Sequence, residues 1–264
     1  MKKTIYLDHA ATTPVELDVT AVMRPFLFEN YGNPSSDYEL GKISARAIEN
    51  ARNKIAKAMN AKSDQIYFTS CGTEADNWAL IGIAEMMSNQ GRGNHIITTK
   101  IEHHAILNTC KYLEERGFDV TYLDVDSRGL VNVEDVENAI TDKTILISVM
   151  MVNNEIGTIE PIKSIGAVAK KHGIPFHVDA VQAFGHIPID VRDMNICLMS
   201  TSAHKLGAVK GTGCLYYNEY FVPGLKPFIH GGHQENSMRA GTENVAGIVG
   251  FGKAAEISEK YMAD

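Results

Sequence analysis

The order of hydrophobic and polar residues divides the chain into amphipathic helical segments and short apolar runs. Apolar residues at three- and four-residue spacing predict helices over about 14–29 and 41–60. Residues 5–14 have a strand-like pattern that leads into a turn. Beyond residue 60 the pattern becomes an alternation of apolar runs and helical segments. The predicted strands cover 65–69, 95–99, 120–124, 144–152, 174–179, 196–200 and 213–217, and the later helices cover 74–89, 103–116, 133–140, 162–172 and 243–262.

This alternation predicts an α/β fold with a mainly parallel, seven-stranded sheet that is sandwiched by helices. Parallel strands need a crossover connection, and most of the predicted helices lie between strands as such connections do. Gly91, Gly117 and Gly173 stand where three helices are expected to end, because glycine readily takes the left-handed conformation that closes a helix. A length of 264 residues fits one large domain.

Polar clusters follow five of the predicted strands. In an open parallel sheet the ligand site is built by the loops after the carboxyl ends of the strands, so these clusters are expected to meet at one edge. They lie at 70–73, 102–104, 153–155, 179–182 and 202–205. Packing alone gives no reason for five such clusters. The sequence therefore predicts an enzyme with its active site at this edge.

Charge and composition exclude several classes of function. The formal net charge is −7 and basic residues form no block, so neither nucleic acid nor an anionic membrane is expected as a partner. No apolar run is long enough for a membrane span, and no apolar segment follows the N-terminal lysines as it would in a signal peptide. We therefore expect a cytoplasmic protein. The four cysteines have neither zinc-site nor disulfide spacing, and no metal site is predicted.

The candidate chemistry is arranged around Lys205. An apolar run and three hydroxyl residues at 200–202 precede it, and glycines follow at 207, 211 and 213. A lysine in this setting is suited to holding a phosphorylated aldehyde as a Schiff base, with hydroxyl and backbone N–H groups taking the phosphate. The alternative is a solvated surface lysine in a glycine-rich loop.

Two further clusters suit such a ligand. Residues 69–77 form a strand end, a turn of small residues and a helix start, where free N–H groups attract a phosphate. The alternative is a well-capped helix and nothing more. Asp179 ends an apolar strand, and a carboxylate buried there needs a partner such as a protonated pyridine nitrogen. A helix cap or a metal ligand is the alternative role.

Histidines and asparagines complete the candidate set. His103 and His104 stand at a predicted helix start, where an imidazole could stack on an aromatic ring, transfer protons or only cap the helix. Asn153 and Asn154 could bind a ring oxygen or a substrate carboxylate, or only form a turn.

The ordered set of motifs resembles the cysteine desulfurases, which are class V, fold type I enzymes that use pyridoxal 5'-phosphate. Each motif is weak alone, but the ordered set is specific and extends over essentially the whole chain. The motifs are DHAATTP at 8–14, GNPSS at 32–36, FTSCGTEADN at 68–77, EHHAIL at 102–107, VNNEIG at 152–157, HVDAVQ at 177–182, SAHK at 202–205 and RAGTEN at 239–244.

The resemblance implies roles around the pyridoxal ring. Lys205 would bind the aldehyde and shuttle the substrate's Cα proton, and His103 would stack on the ring and help to move protons. Asp179 would pair with the ring nitrogen, and Gln182 would bind the phenolic oxygen. Asn154 would face the cofactor and the substrate carboxylate.

The resemblance also implies a reaction and an assembly. The family converts L-cysteine to L-alanine and passes the sulfur, as a cysteine persulfide, to iron–sulfur cluster assembly or tRNA thiolation, which implies a sulfur-acceptor or scaffold protein as a partner. Thr242 would reach the phosphate of the neighbouring subunit in a homodimer. Residues 1–14 would form an N-terminal segment near the active site, and 15–264 would form the cofactor-binding large domain. The residues implied to hold the phosphate are Gly72, Thr73, Ser202 and His204.

Several positions depart from the family's pattern. The persulfide-bearing cysteine and the small C-terminal domain of the family lie well beyond 239–242, and this sequence contains neither. We therefore expect a truncated chain, or one that works with another polypeptide, with little desulfurase activity alone. Cys71 stands where the family usually has a small residue, and we expect it near the phosphate rather than at the substrate sulfur. Residues 208–209 and 231–236 also differ.

Two other functions stay open at this point. One is another class V enzyme: a selenocysteine lyase, a cysteine-sulfinate lyase or a transaminase. The other is a non-catalytic scaffold that uses the same fold to bind a partner protein, although a scaffold has no need for the full set of cofactor residues.

Overall fold

The computed structural model describes residues 5–263, and its strands and helices follow the predicted alternation closely. The predicted α/β fold is confirmed. The helices are α1 Leu17–Phe28, α2 Glu39–Ala58, α3 Gly72–Asn89, α4 His104–Glu114, α5 Val133–Asn138, α6 Ile162–His172 and α7 Val245–Ala263. The strands are β1 Ile66–Thr69, β2 His95–Thr99, β3 Asp119–Leu123, β4 Thr144–Ser148, β5 Phe176–Asp179, β6 Leu198–Ser202 and β7 Gly213–Tyr217. Short 3-10 helices cover 63–65, 203–205 and 234–237.

The seven strands form one sheet in the order β1-β7-β6-β5-β4-β2-β3. Strand β7 runs antiparallel to both of its neighbours, and the other pairs are parallel. The reversal has a local cause, because residues 203–212 between β6 and β7 hold only a 3-10 turn and a loop. A parallel connection would need a longer crossover.

Helices cover both faces of the sheet, as the buried side chains show. One hydrophobic cluster joins α1, α2 and α7 to the sheet and includes Ile55, Phe176 and Phe251. The other lies under α3 and α4 and includes Trp78 and Ile106. Successive residues of a strand point to opposite faces of the sheet. In β5, Phe176 therefore packs in the first cluster, whereas His177 and Asp179 lie on the face covered by α3.

Two predicted segments are corrected. Residues 5–14 contain no strand; instead the Thr13 N–H donates to the His204 carbonyl at 3.1 Å, so this segment lies against the loop after β6. Strand β4 ends at Ser148 rather than at residue 152. The backbone continues beside β5, where the N–H groups of Val149 and Met151 donate to the carbonyls of His177 and Asp179 at 3.2 and 2.9 Å. On its other side the pairing with β2 has ended, and the Met150 N–H donates to the Glu102 carboxylate at 3.0 Å.

The predicted helix ends at Gly91, Gly117 and Gly173 are confirmed. Their φ angles are 68°, 87° and 67°, in the left-handed region that glycine tolerates best. Within residues 5–263, none of the helices combines the length and the apolar character that crossing a lipid bilayer requires.

Candidate active site

A cavity of about 610 Å³ opens at the carboxyl edge of the sheet. Its wall is built by the N-terminal segment, the start of α3, the loops after β2 and β4, the end of β5 and the turn after β6. The parallel sheet brings these segments together, since the carboxyl ends of its parallel strands share one edge. The predicted site residues that line the cavity are Gly72, Thr73, His103, Asn154, Asp179, Gln182, Ser202, His204 and Lys205.

Lys205 lies in the 3-10 turn that follows β6 and points its amine into this cavity. Nζ donates to the backbone carbonyls of Ala10 and Ala11, with a distance of 3.0 Å to the second. Partial burial lowers the pKa of the Lys205 amine, although the negative charges of Asp179, Asp8 and Glu155 oppose that shift. A lowered pKa increases the fraction of neutral amine, which is the form that attacks a carbonyl carbon.

Asp179 ends β5 with only 5% of its surface exposed. Its Oδ1 accepts the Val181 N–H at 2.9 Å. Burial raises the pKa of Asp179, whereas the Val181 hydrogen bond and the charges of His103 and Lys205 favour the ionised form. Gln182, in the turn just beyond, donates from Nε2 to the Ala10 carbonyl at 2.9 Å. The N-terminal segment thus touches both Lys205 and Gln182.

The start of α3 forms the opposite wall. Cys71 caps the helix in an extended conformation, and Gly72 is the first helical residue. A Cβ atom on Gly72 would come within 2.5 Å of Val181 Cγ2, so any larger residue would displace the segment that carries Asp179. Free N–H groups at a helix start favour a bound anion.

The two neighbouring histidines separate in the structure. His103 is the N-cap of α4, and its Nδ1 accepts the Ala105 N–H at 3.1 Å, which leaves Nε2 available. Only His103 lines the main cavity, whereas His104 lies on an adjoining groove between α3 and α4. His204 approaches the N-terminal segment, with Nδ1 3.0 Å from Thr12 Oγ1. Burial, followed by the charges of Lys205 and Lys210, lowers the pKa of His204.

Comparison with known proteins agrees with this geometry. The aminotransferase class-V family matches residues 5–264. Cysteine desulfurase IscS of Clostridium botulinum is 56% identical over the whole of this chain, and the IscS of Methanosarcina thermophila is 56% identical over 97% of it. The chain spans 66% and 62% of those relatives. The chain belongs to the class V aminotransferases.

Solved structures support the membership. A NifS-like protein superimposes with a TM-score of 0.95 at 42% identity, covering 99% of this chain and 71% of that protein. A structure described as SspA in complex with cysteine gives 0.92 at 44% identity, covering 96% and 72%. The resemblance to cysteine desulfurases is therefore confirmed.

Membership in the class V aminotransferases implies pyridoxal phosphate, and the cavity's own groups fit it. A lysine with a lowered pKa faces the cavity, and a buried carboxylate lies at the end of the central strand. The start of α3 supplies anion-binding N–H groups next to the Ser202 hydroxyl. The volume lies within the range usual for cofactor sites, about 300–1,000 Å³.

Asn153 and Asn154 also take different positions. Asn153 is buried, donates to the Ile101 carbonyl at 2.9 Å and accepts the N–H groups of Glu155 and Ile156. Asn153 therefore stabilises the turn after β4, which is one of the two roles predicted for it. Asn154 lines the cavity and donates to Glu155 Oε1 at 2.7 Å.

Thr242 is the one predicted site residue that the fold keeps apart from the cavity. It is exposed and lies on a second groove of about 200 Å³ with Thr69, Ser70 and Arg239. Arg239 is fixed there by Glu74, at 2.8 and 3.0 Å.

Sequence reasoning missed a layer of buried polar residues directly behind the cavity. His177, Ser148 and Ser200 lie on three adjacent strands, and Asp76 and Glu102 lie beside them. The one signal in the sequence is the alternation in 176–179, where polar His177 and Asp179 share one face of an apolar strand. That pattern identifies the face of β5 that carries polar residues, but it does not indicate that Asp76 of α3 packs against this face.

Proposed function

We propose that this chain is the pyridoxal-phosphate-binding part of a cysteine desulfurase, which removes sulfur from L-cysteine and leaves L-alanine. The observation that carries the proposal is the convergence of Lys205, Asp179, Gln182 and His103 on one cavity beside the start of α3. The names of the relatives and the neighbour described as bound to cysteine support the substrate.

When bound, the cofactor withdraws electrons from the substrate's Cα, which makes its proton acidic. Lys205 Nζ would hold the aldehyde carbon and, once displaced, would accept and return the Cα proton. Asp179 would hold the proton on the ring nitrogen. The lowered pKa of the Lys205 amine supports the first role. The Val181 N–H and the Lys205 charge, which favour ionised Asp179 against the effect of its burial, support the second.

The remaining cavity residues would orient the two ligands. His103 would stack on the ring, because its Nδ1 is already used in capping α4 and its face remains free towards the cavity. Gln182 would bind the phenolic oxygen, and Asn154 would face the substrate carboxylate. The residues proposed to hold the phosphate are Gly72, Thr73, Ser202 and His204.

The sulfur needs a thiol acceptor. Three of the four cysteines, Cys110, Cys197 and Cys214, are buried, and burial raises the pKa of each thiol to about 12. Cys71 is half-buried and lies at the phosphate end of the cavity. We therefore expect the 264-residue chain alone to release sulfide slowly and to depend on a thiol from another polypeptide, in the cytoplasm. Iron–sulfur cluster assembly or tRNA thiolation would take up that sulfur.

The test uses the purified chain incubated with pyridoxal phosphate and then desalted. We expect a visible absorbance band that L-cysteine changes and D-cysteine does not, and slow formation of L-alanine when dithiothreitol is added, because its thiol can take the sulfur as a persulfide. Lys205→Ala should lose the band, whereas Lys210→Ala, a matched exposed lysine in the same loop, should keep it.

A chain that stays colourless after this treatment would contradict cofactor binding. Alanine from L-selenocysteine or L-cysteine sulfinate, with none from L-cysteine, would assign the chain to another class V activity. Rapid sulfide release with dithiothreitol would contradict the expected need for a second polypeptide.

A further inference from the structure

Behind Asp179 lies a second buried carboxyl group that the chemistry above does not use. Asp76 belongs to α3, is 1% exposed and borders the main cavity. Its Oδ1 atom has no hydrogen-bond partner in the described part of the chain. The Nε2 atom of His177 lies 3.7 Å from this oxygen, which is beyond hydrogen-bond distance.

His177 does not supply the missing charge. The ring is fully buried, with Nδ1 2.9 Å from Ser148 Oγ and Nε2 3.0 Å from Ser200 Oγ. Burial lowers the pKa of His177 to about 3, so the imidazole is neutral at pH 7. Asp76 Oδ1 therefore faces a neutral ring.

Asp76 and Asp179 differ in how well each is suited to being ionised. Asp179 accepts the Val181 N–H and lies close enough to Lys205 for the positive charge of that amine to favour its ionised form. Asp76 has only the Ser200 hydroxyl in its favour. Burial raises the pKa of Asp76 well above its usual range, and the charge of Asp179 raises it further. Two buried carboxyl groups in this relation hold one proton between them, on the less stabilised member.

The other ionisable groups around Asp76 are acids. Glu102, from the loop after β2, and Cys71, at the start of α3, raise the pKa of Asp76 when they carry a negative charge. Glu102 is itself buried, and burial raises its pKa to about 8, so it is largely protonated at pH 7 and contributes little repulsion there. Burial and the charge of Asp179 are therefore the main causes that favour a neutral Asp76.

We propose that Asp76 is a positioning residue that carries a proton at neutral pH and so leaves Asp179 as the single carboxylate facing the cofactor's ring nitrogen. This inference rests on the proposed function for its role, but the protonation itself belongs to the chain. Were Asp76 ionised, repulsion would draw the proton to Asp179, which would then be neutral and unable to stabilise a protonated ring.

The first measurement needs no cofactor. The chain is labelled with ¹³C at the aspartate carboxyl carbons, which leaves the buried glutamates silent, and its spectrum is followed by NMR from pH 5 to pH 9. We expect one aspartate to retain the protonated shift at pH 7. That signal should disappear in Asp76→Asn and persist in Asp179→Asn and in Glu102→Gln, which is the control for loss of a neighbouring buried acid.

The second measurement uses the cofactor-loaded protein and follows the pH midpoint of its visible band. Asp179→Asn removes an anion beside the ring and should lower the midpoint by about 1 unit or more. Asp76→Asn replaces a neutral group by a neutral group, so its midpoint should stay within about 0.3 units of the wild type.

Three results would overturn the inference: no protonated aspartate at pH 7, a protonated signal that vanishes in Asp179→Asn instead, or a midpoint that Asp76→Asn lowers as far as Asp179→Asn does. The wild-type spectrum decides the first result even if a variant does not fold. If the protein binds no pyridoxal phosphate, the proposed function fails while the NMR arm still tests the proton on Asp76.

Discussion

At the carboxyl edge of the sheet, distance from water sets the chemistry of single residues. Burial lowers the pKa of Lys205 and raises the pKa of Asp179, although these groups lie in the same cavity. Each shift favours the neutral form, because the interior solvates charge poorly. Neighbouring groups then determine which residue regains its charge, and Asp179 has both the Val181 N–H and the nearby Lys205 amine to stabilise its carboxylate.

Glu102 offers a test of this balance through stability. Its Oε1 accepts from Thr99 Oγ1 at 2.7 Å and from the Met150 N–H at 3.0 Å, yet burial raises its pKa to about 8. A raised pKa means that the folded state holds the proton more tightly than the unfolded state. The stabilisation is complete below the unfolded pKa near ~4.3 and is lost as the pH rises through about 8.

Glu102→Gln should remove this pH dependence, since glutamine does not titrate. We expect the unfolding free energy of the variant, relative to the wild type, to increase by up to about 1.4 kcal/mol per pH unit between roughly pH 5 and pH 8. Urea unfolding at four pH values measures it. Glu29→Gln, at an exposed position, is the control, and parallel curves for Glu102→Gln and the wild type would show that Glu102 is not protonated.

At the scale of elements, the position of each strand was predictable where apolar patterning and turn residues agreed. Strands β2 and β7 and helix α6 have the predicted bounds. The sequence does not indicate where a side chain replaces a neighbouring strand as the hydrogen-bond partner. Residues 149–152 are apolar like a strand, and Val149 and Met151 still donate to β5, but the Met150 N–H donates to the carboxylate of Glu102, 48 positions away.

The site shows the same limit. Lys205, Asp179 and His103 were identified because motifs mark the ends of their strands, and the structure places all three on one cavity. Asp76 was read as part of a helix start, since nothing in its own segment indicates that β5 will bring His177 and Asp179 beneath it. Pairings between elements depend on packing, which periodicity along the chain does not encode.

One such pairing between elements is a buried ion pair. Arg52 of α2 contacts Glu235 at 2.7 Å through two nitrogens, and Glu235 also accepts the Phe68 N–H of β1 at 2.7 Å. Both residues are less than a tenth exposed. Glu235 has a positive φ of 47°, which shows how strongly this contact determines the loop that carries it.

Glu235→Gln should lower the unfolding free energy by about 3–5 kcal/mol, because it leaves the Arg52 charge buried and unpaired. The double variant with both Glu235→Gln and Arg52→Met should lose less unfolding free energy than the sum of the losses in the two single variants, since each single change removes the same interaction. Denaturant unfolding of the three variants measures this. Glu39→Gln breaks the exposed pair with Arg46 and should change stability by at most about 1 kcal/mol; equal effects at both pairs would contradict the argument.

At the scale of the whole molecule, Thr242 shows that one chain does not bring every predicted site residue together. Its groove includes Thr69 and Ser70, whereas the main cavity includes Cys71, Gly72 and Thr73, and Thr242 does not line the cavity of its own chain. We propose a homodimer in which Thr242 binds the phosphate in the partner subunit, which would account for this position.

Subunit mixing tests the homodimer. Thr242→Ala alone should weaken pyridoxal phosphate binding about tenfold, the loss of about one charge-assisted hydrogen bond, and Lys205→Ala alone should lose the visible band. A heterodimer of the two has one site with Lys205 from one subunit and Thr242 from the other. Mixing after mild unfolding and refolding should therefore restore tight binding at one of the two sites of each heterodimer, which is about a quarter of all sites in a statistical mixture. No restoration, or a monomer by sedimentation velocity, would refute the shared site.

The reversed strand β7 has a consequence in time. Its pairing with β1 joins Thr69 to Gly213, and β1 has no other neighbour in the sheet. A ribosome adding about 5–20 residues per second needs roughly 7–30 s to make the 143 residues between them. Throughout that interval the apolar β1 segment has no strand to pair with, so its backbone N–H and C=O groups are unpaired on both edges. The nascent chain therefore offers chaperones a binding site that is covered in the finished protein.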